Sequence, residues 1–146
     1  MFLIGGCVWE FWQVFDTILQ YCVAAQVTPT TINLKQTVEA MRHGETLVLG
    51  AGIYHGCGIS VSSVNIVIKG AGRGRTEINC DGAGRFMTVT GGEGLTLEGL
   101  TVSNGTSSTE HGACLHVTGA SLSLKNVELA HCQSGRWGGG IYASVR

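Results

Sequence analysis

Proline is nearly missing from these 146 residues, with a single occurrence, and aspartate occurs only as Asp16 and Asp81. Charged residues make up 13% and the net charge is −1, so no basic footprint for nucleic acid or an anionic membrane is present. The six cysteines (Cys7, Cys22, Cys57, Cys80, Cys114 and Cys132) contain no C-x-x-C spacing. Zinc sites and thioredoxin-like redox motifs lose support accordingly. The cysteines fit buried small side chains or disulfides, and spacing alone leaves the pairing open. No metal or other cofactor is implied. Against these absences stand 23 glycines, about twice the usual share. Glycine at that level, without proline or low complexity, indicates many tight turns between short strands.

Residues 1–25 stand apart as an apolar, aromatic leader that holds Trp9 and Trp12. Val23-Ala24-Ala25 puts small residues where a signal peptidase would need them before Gln26. The segment lacks a basic start, and Glu10 and Asp16 interrupt its apolar run, which disfavours a membrane span. A degenerate signal peptide, a misassigned start and an extra packing helix all stay open. Secretion would suit the cysteines, and Asn104-Gly105-Thr106 is a glycosylation sequon.

The main signal is a repeat. Ile59-Ser60-Val61-Ser62 recurs as Met87-Thr88-Val89-Thr90 and Leu115-His116-Val117-Thr118, 87 − 59 = 28 and 115 − 87 = 28 residues apart. A second element runs in step as Ile66-Val67-Ile68-Lys69, Leu95-Thr96-Leu97-Glu98 and Leu122-Ser123-Leu124-Lys125. A third recurs as Glu77-Ile78-Asn79, Thr101-Val102-Ser103 and Glu128-Leu129-Ala130. Apolar and polar residues alternate within each, with the strand period of two. Coils stacked about 4.8 Å apart would align the apolar residues into interior ladders. Lys69, Glu98 and Lys125 would then form an outward ladder of alternating charge. Ahead of the coils, residues 34–42 carry Leu34, Val38 and Met41 on one helical stripe, with Gly44 as a stop. Such a helix would cover the open end of the interior.

The run from Val38 through Gly44-Glu45-Thr46, Leu47-Val48-Leu49 and Gly52-Ile53-Tyr54 resembles the opening segment of pectin-lyase-like right-handed parallel β-helix proteins. Ile68-Lys69-Gly70-Ala71-Gly72, Leu95 to Val102 and Gly138-Gly139-Gly140-Ile141-Tyr142 are similar to repeats of secreted and surface members. The resemblance implies an all-β, right-handed parallel β-helix of about four coils over residues 34–146, with a short N-terminal capping helix. The last coil, begun at Gly138, is unfinished at Arg146. An open last coil suggests a piece of something longer and invites self-association.

Fold does not carry activity, because this scaffold holds lyases, hydrolases and adhesins alike. Members that cleave polysaccharide cluster aspartates, arginines or lysines on an outward strand face, and no such set occurs here. Glu110 and Asp81 are the least implausible acid pair for glycoside hydrolysis. Glu110-His111-Gly112 echoes a hydrolase His-Gly without its partner acids. Gly70-Ala71-Gly72-Arg73-Gly74-Arg75-Thr76 lacks the Lys-Ser/Thr pair of a phosphate loop and reads as a glycine turn. No catalytic residue is assigned. The expected ligand contacts are Ser60, Thr88 and His116 on one strand face, with Arg73 and Arg75 on the glycine turn, facing a polysaccharide. The expected protein is a non-catalytic module, extracellular or at the cell surface, without a membrane span. The alternative is an N-terminal fragment of a polysaccharide lyase or glycoside hydrolase.

Overall fold

A computed structural model describes residues 28–29 and 32–144 with their side chains, and residues 2–4, 7–14 and 17–24 as backbone. Those three early segments are strands β1 (Phe2–Ile4), β2 (Cys7–Val14) and β3 (Thr17–Ala24), paired antiparallel in that order. The Ala25–Gln26 junction, where cleavage is expected, lies outside the described residues.

Helix α1 (Leu34–Glu39) starts where its cap dictates. The Asn33 side chain accepts the Gln36 N–H at 3.1 Å, satisfying a donor that the first turn leaves without a partner. Leu34 and Val38 are buried, and Met41 packs on the same core from beyond the helix end. The helix is shorter than the stripe over residues 34–42 suggests, because Ala40 already closes it.

Four rungs follow in sequence. The first is β4 (Thr46–Val48), β5 (Gly52–His55) and β6 (Ile59–Ser62); the second is β7 (Asn65–Lys69), β8 (Thr76–Asn79) and β9 (Met87–Thr90). The third is β10 (Gly94–Ser103), β11 (Thr106–Ser107) and β12 (Leu115–Thr118). The fourth is β13 (Ser121–Ala130), β14 (Gln133–Ser134) and β15 (Ile141–Ser144). Each strand pairs parallel with its equivalent in the next rung, and every register expected from the repeat is observed. Ile59 faces Met87 and Met87 faces Leu115; Ile66 faces Leu95 and Leu95 faces Leu122; Ile78 faces Val102 and Val102 faces Leu129. The class is a parallel β-solenoid. Its four rungs close about three turns, fewer than the expected four coils.

Rungs three and four differ from the expected three-element coil. Strands β10 and β13 run through two faces without a break, because a single left-handed residue turns each corner. Gly99 (φ 63°) and Asn126 (φ 51°) do this at equivalent positions. In rung two the same corner needs the whole glycine turn between β7 and β8.

The interior is filled by the ladders. Ile59, Met87, Leu115, Ile66, Leu95, Ile68, Leu97, Ile78 and Val102 are all buried, with Phe86 among them. Each such side chain contributes about 1.5–3 kcal/mol on removal from water. In the last rung the same ladder opens, and Leu124 is 37% exposed. At the other end α1 protects the edge strand with its charged side chains. Lys35 Nζ donates to Gly58 O at 2.6 Å, and Glu39 Oε1 accepts the Ser60 N–H at 3.1 Å. Two disulfides, Cys57–Cys80 and Cys114–Cys132, tie neighbouring rungs where the second face turns into the third. Each closes a loop of about twenty residues, worth about 3 kcal/mol in a chain-entropy account.

Candidate functional site

The third face of the solenoid is the sheet β6-β9-β12-β15. Its period-two alternation sends Ser60, Thr88, His116 and Tyr142 outward in one register row, and Ser62, Thr90, Thr118 and Ser144 in the next. The expected ladder of Ser60, Thr88 and His116 is therefore real as a geometric feature. The three do not share one environment. Ser60 sits at the helix-covered edge, whereas Thr88 and His116 belong to a denser cluster at the other end of the row.

That cluster is organised by Arg85, on the residue run leading into β9. Its Nε donates to Gly112 O at 2.6 Å, Nη1 to Thr88 Oγ1 at 3.0 Å, and Nη2 to His111 O at 2.8 Å. Nη2 also lies 2.9 Å from Glu110 Oε2. The Arg85 side chain is only 12% exposed, so its charge serves to hold the loop between β11 and β12. Glu110 remains 64% exposed, and its other carboxylate oxygen has no partner among the described residues.

Three rings stack beside this loop. The His111 ring lies 5.5 Å from Trp137 and 4.7 Å from Tyr142, at interplanar angles of 27° and 22°. His116 meets Tyr142 edge-on at 5.1 Å. His111 Nδ1 accepts the Trp137 backbone N–H at 3.2 Å, which fixes the orientation of the ring. Glycine makes the close approach possible: Gly112 has φ +73°, and a Cβ there would meet Leu115 O and come within 3.0 Å of Tyr142 Cβ. Trp137, held from behind, is 79% exposed. His116 Nε2 pairs with Thr118 Oγ1 at 3.0 Å, while Nδ1 is buried without a hydrogen-bond partner. Burial, and then the Arg85 charge, hold its pKa below the ordinary 6.5.

Two open clefts flank the cluster. One, of about 680 Å³, is lined by Gly84, Arg85, residues 106–110 and residues 133–135. The other, of about 440 Å³, is lined by His111, Gly135, Arg136 and Trp137. Pairing of β11 with β14 sets Thr106 opposite Gln133 and Ser107 opposite Ser134 in the lining of the larger cleft.

The remaining sequence candidates lie elsewhere. Arg73 and Arg75 are exposed on the turn between β7 and β8, at a corner of the solenoid remote in topology from the β12 face. Ala71 N–H is bonded to Thr76 Oγ1, Gly72 N–H to Gly99 O and Gly74 N–H to Thr101 Oγ1. Those amides serve the fold rather than an anion. Asp81 pairs with His55 at 2.7 Å and Glu110 with Arg85, so the two acids have separate partners. Asn104 Nδ2 donates to Asn79 Oδ1 at 3.0 Å, a turn ladder that uses the sequon asparagine structurally. Among the described residues no group of three His, Cys, Asp or Glu is gathered as a metal site requires, and no helix is long and apolar enough to cross a membrane.

Arg85, Trp137 and the stacking role of His111 were not legible as a site in the sequence. The nearest signal was Glu110-His111-Gly112, whose partners lie about one rung away. No protein family matches the chain, and no curated protein or solved structure matches it either.

Proposed function

We propose that this protein is a secreted or surface solenoid module that binds polysaccharide without cleaving it, and that it is related to the pectin-lyase-like family. The observation that carries the reading is Trp137, an indole exposed over most of its surface and backed by the His111–Tyr142 stack. A rigid, exposed indole offers an apolar face to the C–H face of a pyranose, and nearby hydroxyls and amides offer hydrogen bonds. Thr88 and His116 border this platform. Ser60 extends the same row, and Arg73 and Arg75 provide a separate cationic contact for a long polymer. Two inter-rung disulfides favour an oxidising compartment. The enzymatic alternative has less behind it, because Glu110 is the one carboxylate lining the larger cleft. Self-association through the last rung is a further part of the proposal, supported by the exposure of Leu124.

The test is affinity electrophoresis through gels containing individual plant and microbial polysaccharides. At least one polymer is expected to retard the protein, and Trp137→Ala should weaken that retardation by about tenfold or more, a hot-spot loss. Unchanged retardation in the variant, or release of reducing ends by the wild type, would contradict the reading.

A further inference from the structure

The larger cleft is lined by one carboxylate and one cation. Its free polar groups are the hydroxyls of Ser108 and Thr109, the amide of Gln133 and one oxygen of Glu110. All of these side chains are exposed, and among the described residues only the Glu110 side chain is engaged, through its other oxygen to Arg85. The single cation in the lining is Arg85, already committed to Glu110, Thr88 and the carbonyls of His111 and Gly112. A ligand carboxylate would therefore meet the Glu110 charge, with no donor fork open to receive it. Turning Arg85 towards it would cost the loop its internal hydrogen bonds. A sugar hydroxyl meets no such conflict, since the carboxylate oxygen accepts its proton and Gln133 can donate as well as accept.

We propose that this cleft takes an uncharged polyhydroxyl chain, a neutral polysaccharide, and that Glu110 excludes its uronate counterpart. This rests on the carbohydrate-binding reading and narrows it to a ligand class. Arg136 is the competing influence. It is exposed on the Trp137 side and forms no ion pair among the described residues. A uronate could be drawn to it, so the experiment includes that residue.

The probes are oligosaccharides of the gluco, manno and galacto series, each as a matched pair of the neutral chain and its C6-oxidised uronate. Binding is measured by calorimetry at low salt, where exposed charges act most strongly. In the series that binds best, the uronate is expected to bind about three- to tenfold more weakly than the neutral chain. Glu110→Gln should close most of that gap, and Glu110→Lys should reverse it. Circular dichroism and a melting curve establish that both variants are folded; the group is exposed, and the two substitutions differ in charge as well as size. Equal binding of both members of the pair, or a gap that survives Glu110→Gln, overturns the inference and leaves carbohydrate binding intact. A preference for uronate that Arg136→Gln removes overturns it as well. Absence of binding in every series overturns the inference together with the carbohydrate reading.

Discussion

At the scale of single residues, His116 shows what the outward face imposes on its occupants. It projects from β12, yet its Nδ1 is enclosed without a partner and its ring rests edge-on against Tyr142. Burial and the neighbouring Arg85 charge lower its pKa below 6.5, with the Glu110 charge acting in the opposite direction. Above about pH 7.5 the ring is neutral in both folded and unfolded chains and stability is undiminished. As the pH falls from there towards the lowered folded value, the unfolded chain binds the proton first and stability is lost. His116→Gln should therefore flatten the decline in melting temperature between about pH 7.5 and pH 5 relative to the wild type. Superimposable pH profiles would contradict that assignment. His116 was legible in the sequence because it stands in a register row with Ser60 and Thr88. Arg85 was not legible there, because its partners on the next rung include the backbone carbonyls of His111 and Gly112. Those carbonyls come within reach only once one rung is laid on the next.

At the scale of elements, alternation did most of the work. Period-two patterning in Ile59–Ser62, Met87–Thr90 and Leu115–Thr118 predicts strands with one buried face, and those strands occur over the same residues. Corners were less legible. Nothing in the composition of Leu97-Glu98-Gly99-Leu100 shows that one left-handed glycine suffices there, while the Gly70–Arg75 run is needed a rung earlier. Helix α1 illustrates a cap that serves two levels at once. Asn33 holds its first turn, and Lys35 and Glu39 then satisfy the main chain of the edge strand β6. Asn33→Ala should cost about 1 kcal/mol in urea unfolding, the usual value of an N-cap. A loss within about 0.2 kcal/mol of zero would show that the helix is held by Leu34 and Val38 alone.

At the scale of the whole molecule, the repeat of about 28 residues fixes the register, and the register fixes what lies beside what. Lys69 and Glu98 meet as an ion pair at 3.5 Å because they are equivalent positions of successive rungs. The disulfide pairs follow from the same stacking, joining cysteines that flank one corner in adjacent rungs. Spacing alone could not choose them, since the corner loops vary in length. The candidate site is a product of this scale. Thr88 comes from rung two, Glu110, His111 and His116 from rung three, and Trp137 and Tyr142 from rung four. Trp137 lies in a corner loop outside the strand repeat, so periodicity had nothing to say about it.

The central claim, that ligand is held on the Trp137 platform, is tested most directly by nuclear magnetic resonance. The indole N–H signals of Trp9, Trp12 and Trp137 would be followed during titration with the best-binding oligosaccharide. The account expects the Trp137 indole to shift together with the His111 ring and the Gln133 side-chain amide, while Trp9 and Trp12 stay in place. Shifts confined to Arg73 and Arg75, or to the leader tryptophans, would contradict it.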